Sequence, residues 1–149
     1  MVIHAYDEEY FESARRIMGD LFDFAMVTAG VSPETLQKMM ITSSSIRQFE
    51  KGNPAYVAGM TGCELFIKMV EESGLSIKIP AEEMYLDKSP EYWSGWAIAF
   101  ISGTVEKPLR GYLNILTSKS CLICIRYFTR WISCSLWISL MNTCGPPIR

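Results

Sequence analysis

The sequence predicts an all-α protein of about four amphipathic helices in a small irregular bundle, and three observations carry that expectation. Apolar residues recur at three- and four-residue steps over most of the first hundred positions. Helix-opening chemistry appears as Ser32-Pro33-Glu34 and again as Ser89-Pro90-Glu91, with a capping-box pair, Thr61 and Glu64, between them. Glycines stand where the stripes end, at Gly30, Gly52 and Gly74.

The first helix is expected to start at Asp7, whose carboxylate can cap free amides, with Glu8 and Glu9 at the positive end of the dipole. Phe11, Ala14, Met18, Leu21 and Ala25 form its apolar face, flanked by Tyr10, Ile17 and Phe24, and Gly30 supplies a left-handed stop. The second helix opens at Ser32-Pro33-Glu34 and buries Leu36, Met39 and Met40, with Ile46 and Phe49 further along. Within it Ser43-Ser44-Ser45 is a weak helical segment and a candidate bend. Lys51-Gly52 closes this helix and Asn53-Pro54 turns the chain. Thr61 opens a third helix with Leu65, Phe66, Met69 and Val70 inward, ended by Gly74. Residues 75–80 alternate weakly, Ile77 and Ile79 against Lys78, as a short extended connector would. The fourth helix begins near Pro90, with Tyr92, Trp93, Trp96, Ala97 and Phe100 as its apolar positions.

At Phe100-Ile101 the chain changes character. All of the Asp and Glu except Glu106 lie before the break, whereas six of the Lys and Arg and four of the five cysteines lie after it. The 149 residues can bury one sizeable core, so residues 1–100 are read as a partial helical domain and 101–149 as a tail, not a second domain. The acidic front argues against a nucleic-acid surface, which needs clustered Lys and Arg. Asp7, Glu8 and Glu9 follow the N-terminus where a signal peptide needs an apolar run, so a cytoplasmic chain with reduced thiols is expected.

Three readings of the tail compete. A membrane span is disfavoured because Lys119, Arg126 and Arg130 interrupt it and residues 131–141 are too few to cross a bilayer. Cys121 and Cys124 have ligand-like spacing, but Cys134 and Cys144 do not repeat it and no histidine is near, so no metal is expected there. The third reading is a one-base deletion near codon 101. Rereading with one extra base after Phe100 permits a helical continuation that opens Tyr-Gln-Trp-Tyr and contains none of the tail cysteines. Residues 131–138, uncharged and without proline, are in addition an aggregation liability.

Three blocks carry a resemblance: Ile3-His4-Ala5-Tyr6-Asp7-Glu8; Gly52-Asn53-Pro54-Ala55-Tyr56-Val57-Ala58-Gly59-Met60-Thr61-Gly62; and Ser89-Pro90-Glu91-Tyr92-Trp93-Ser94-Gly95-Trp96. Together they resemble an uncharacterised family of small helical bacterial proteins. The likeness covers nearly all of residues 1–100. Members continue past the tryptophans with a Tyr-Gln-Trp-Tyr type segment, which this chain lacks and the shifted frame restores. The resemblance implies a neighbouring gene for an ADP-ribosyltransferase-like protein, and hence a locus of toxin-and-antitoxin style. It carries over no enzymatic residue set.

Weighed from the residues, His4 is the sole histidine and a general base would be His4 with Tyr6, Asp7 or Glu8 nearby. The plainer account makes Asp7 a cap and Glu8 a first-turn acid. Gly52, Gly59 and Gly62 lack the Lys-Ser or Lys-Thr of a phosphate loop and are read as turn glycines, with Asn53 and Pro54 defining a bend. Tyr56 either recognises a partner from that bend or packs beneath it. Trp93 and Trp96, three apart, are either core or an aromatic anchor for a partner. The expectation is a protein-interaction module with a protein partner encoded nearby, antitoxin-like or an adaptor, without cofactor, nucleic acid or membrane, using Asn53, Tyr56, Trp93 and Trp96. The rivals are a small enzyme built on His4 and the non-functional product of a disrupted gene.

Overall fold

A computed structural model of the protein describes residues 8–81 and 88–104. Among the described residues every regular element is helical, as the apolar periodicity requires. The helix α1 (Phe11–Asp23) is entered through a 3-10 turn, Glu8–Tyr10, and left through a π turn, Phe24–Thr28. It is followed by α2 (Pro33–Thr42), α3 (Ser44–Glu50), the single turn α4 (Pro54–Val57), α5 (Gly62–Ser73) and α6 (Pro90–Thr104). Among the described residues the expected four helices become six segments, because the second divides and the Asn53-Pro54 bend winds into a turn of its own.

The layers run α6, α1, α5, then α2 with α3, so α1 is covered on two sides. Its Ala14, Met18 and Leu21, together with Ala25 in the π turn, are fully buried, as the stripe predicted. From α5, Leu65, Phe66 and Met69 fill the space toward α1 and α2, and Phe66 meets Phe24 edge-on at 5.7 Å. Leu36, Met39 and Met40 of α2 and Ile46 and Phe49 of α3 close the far side. Each side chain of this size contributes roughly 1.5–3 kcal/mol on burial.

The helix ends follow the local signals. Ser32 accepts the Thr35 amide at 3.2 Å. Thr61 accepts the Glu64 amide at 3.2 Å while Glu64 returns the bond to the Thr61 amide at 2.8 Å. Gly30 and Gly74 take φ of 66° and 65° in open space, so it is their dihedral, not room, that requires glycine. At the first of these ends the widened π turn lets the Ala29 N–H reach the Phe24 carbonyl and the Val31 N–H reach that of Ala25.

Four expectations need correction. Ser43 is not a bend within a helix but a complete break, with φ −66° and ψ 132°, and its hydroxyl caps α3 through the Ile46 amide. Gly62 is not a turn glycine: a Cβ there would stand 2.4 Å from the Leu21 nitrogen and 2.5 Å from the Ile17 carbonyl oxygen, so its role is to let α5 approach the α1 backbone. Residues 75–80 are a connector, but Ile77 and Ile79 are not buried alike: Ile77 packs on the core while Ile79 is exposed. The buried side of α6 is Tyr92, Ser94, Gly95, Ile98 and Ala99; of the expected stripe only Tyr92 is buried, with Trp93 exposed and Trp96, Ala97 and Phe100 half-buried.

The break in composition falls inside α6, which continues for four residues past Phe100 to Thr104. Ser102 lies buried there and its hydroxyl donates to the Ile98 carbonyl at 2.9 Å. His4, Asp7, Cys121, Cys124 and the segment 131–138 lie outside the described residues. No helix among the described residues is long and apolar enough to cross a membrane.

Candidate functional site

Close packing of α6 on α1 explains why its two tryptophans are displaced from the core. A Cβ at Gly95 would lie 2.2 Å from the Met18 carbonyl oxygen, and one at Gly19 would lie 2.6 Å from the Tyr92 ring. The interface is therefore closest at the two glycines, with Tyr92 lying over Gly19 and Phe22 beside Gly95, and a larger side chain at position 95 cannot enter it. Trp93, Trp96 and Phe100 fall on the flank instead. Trp93 is 40% exposed. Trp96 and Phe100 are half-buried.

The rings on this flank form a continuous chain. Tyr92 meets Trp93 edge-on at 5.4 Å, Trp93 meets Trp96 at 6.0 Å and 63°, and Trp96 stacks nearly parallel on Phe100 at 5.5 Å. Cations close both ends. The Lys88 ammonium stands 4.4 Å over Tyr92, and the Arg15 guanidinium covers both Trp96, at 5.1 Å, and Phe100, at 5.5 Å. Arg15 is set in place by its own helix, because its Nε donates to the Phe11 carbonyl at 3.0 Å. Aromatic and arginine side chains in contact are the composition found at energetic centres of protein interfaces.

At the start of α6 the charges fix its position on α1. Lys88 pairs with Asp20 at 3.5 Å, while Ser89 donates to Asp23 and accepts the Tyr92 amide at 3.1 Å. Burial raises the Asp20 carboxyl above its ordinary range, with Lys88 opposing that shift. Burial also raises the Tyr92 phenol, and the nearby Asp20 charge adds to it. The Tyr92 hydroxyl therefore stays protonated at neutral pH and the aromatic chain stays uncharged.

A second polar cluster joins α5 to the α2–α3 break. One Glu72 oxygen accepts from the Ser43 hydroxyl at 2.6 Å, the Ser44 amide at 2.9 Å and the Ser45 amide at 3.3 Å. The other accepts from the Ser44 and Ser45 hydroxyls at 2.8 and 2.6 Å. Burial alone would raise this carboxyl, but the three serines overcome it and hold the group at about 2. A carboxylate so reluctant to take a proton is a poor general base. The cluster is a clamp that satisfies the exposed amides of α3, not a nucleophile with its activator.

Of the four residues expected to bind, the structure brings Trp93 and Trp96 together and gives Asn53 and Tyr56 other work. Asn53 caps α4, accepting the Ala55 amide at 3.1 Å and donating to Gln48 at 3.3 Å. Tyr56 packs against the core with the Lys68 ammonium 5.0 Å over its ring. Glu8 opens the 3-10 turn. No group of three or more metal-ligating side chains gathers among the described residues. Arg15 and Glu72 were not anticipated: each acts on a segment far away in the chain, and no local pattern marks such a pair. No family model, curated protein or solved structure matches the chain.

Proposed function

We propose that this chain is a protein-interaction module that binds its partner stoichiometrically through the flank of α6, with Trp93 as the anchor. The observation that carries the reading is an indole 40% exposed yet held in place by ring contacts with Tyr92 and Trp96. A large apolar side chain already ordered on a helix loses little freedom when a partner covers it, so most of its burial contributes to affinity. Residues 52–62 are the weaker choice, because Asn53 and Tyr56 spend their polar and aromatic groups inside the fold.

The resemblance set out above makes an ADP-ribosyltransferase-like protein of the same bacterial locus the partner to test, in an antitoxin-like or adaptor role. Co-purification of the two proteins, followed by titration, is the experiment. Trp93→Ala should weaken the complex at least about tenfold, in the range of a strong interface residue, while leaving the far-ultraviolet circular dichroism unchanged. Binding that survives both Trp93→Ala and Trp96→Ala would remove this surface from consideration.

A further inference from the structure

Resting on the reading of α6 as a binding surface, we infer that Arg15 selects the partner: it takes an aspartate or glutamate from a segment that also presents a large apolar side chain to Trp93. Three features of the arginine point there. Its guanidinium carbon lies over Trp96 and Phe100, at 5.1 and 5.5 Å, and its Nε is taken by the Phe11 carbonyl. A guanidinium held through its Nε and its aromatic contacts keeps the donors on the Nη atoms for hydrogen bonds, in the fork geometry that matches a carboxylate. Among the described side chains, residues 9–81 and 88–100 with Ser102, no carboxylate forms an ion pair with Arg15; the neighbouring Glu12 pairs with Arg16 at 3.8 Å, and Asp20 pairs with Lys88.

The energetics favour this use of the residue. An arginine normally loses side-chain freedom when it binds, but this one is already fixed by a backbone bond and two rings, so that cost is largely met within the free protein. The aromatic surround also shields the pair from water, which strengthens a charge-assisted bond relative to one on an open surface. Charge complementarity thus commits the occupant to an acidic and apolar peptide segment. A basic segment would face like charge at Arg15.

The test is selection of a random phage-displayed peptide library on the full chain, followed by titration of the recovered peptides. Peptides joining Asp or Glu to a large apolar residue should dominate and should fail on Trp93→Ala. Replacing the peptide's acid by its amide, or Arg15 by Gln, should each weaken binding about tenfold, and the two changes together should cost little more than one. Because the peptide change is made against the unaltered chain, that arm holds even where Arg15→Gln fails to fold. Trp93-dependent peptides that lack acids, or acidic ones indifferent to both changes, would overturn the role of Arg15 and leave the α6 surface standing. Recovery of no Trp93-dependent peptide would overturn both.

Discussion

Replacing Glu72 by Gln tests the clamp between α5 and the α2–α3 break, because the two side chains share a shape and differ in charge. The amide oxygen can keep the bonds from the Ser44 and Ser45 backbone amides and the Ser43 hydroxyl, all now made to one carboxylate oxygen. The amide nitrogen would meet the Ser44 and Ser45 hydroxyls, which can rotate and accept. What is lost is the charge assistance, not the pairing. The fall of the Glu72 carboxyl from its ordinary 4.5 to about 2 corresponds to roughly 3 kcal/mol at full value. Glu72 is exposed, so screening reduces this to about 1–2 kcal/mol. Since the folded-state value is depressed, this stability is present above pH 4.5 and is lost as the pH falls toward 2. Urea unfolding followed by circular dichroism should therefore show Glu72→Gln destabilised by about 1–2 kcal/mol at neutral pH, with the gap to wild type closing progressively below pH 4.5. Parallel loss in both proteins through that window, or no difference at neutral pH, would refute the clamp.

Gly95→Ala should destabilise by about 1–3 kcal/mol in the same assay, since its methyl group collides with the Met18 carbonyl; helix propensity alone would give a gain of about 1 kcal/mol, so the sign decides. Thr61→Ala removes the cap of α5 and should cost about 1 kcal/mol, checked by the denaturation midpoint. Trp93→Ala should cost only about 1 kcal/mol, for the ring contacts with Tyr92 and Trp96 of a side chain that is 40% exposed, and it should lower tryptophan emission without broadening the transition.

The parts of this fold legible in the sequence are those whose cause is local. Ser32, Thr61 with Glu64, Ser89-Pro90, Gly30 and Gly74 act within a turn of the helix they begin or end, and each does so here. Ser43 shows where locality fails. Its backbone breaks because a carboxylate 29 residues away satisfies the amides that a continuous helix would have used, and no window along the chain contains both partners. The same limit hid the close approaches at Gly62 and Gly95, since a glycine that makes room for another backbone has no distinctive neighbours in sequence.

The α6 helix exposes a subtler failure of pattern reading, and it bears on function. Counting the largest apolar residues as the buried stripe selects Trp93, Trp96 and Phe100, because burial gain scales with area. Packing density overrides that preference when two helices approach closely enough for Gly95 to touch the Met18 carbonyl. Gly95 and Ala99 then take the closest approach, with Tyr92 and Ile98 beside them, and the tryptophan rings are left in contact with one another, with Phe100 and with Arg15. A sequence with these aromatics and no glycine at 95 would be expected to hold the helices further apart and bury the indoles between them. The exposed aromatic flank is thus a consequence of the glycine contact. Gly95→Ala should accordingly disturb partner binding as well as stability, whereas Trp93→Ala should act on binding with only a small loss of stability.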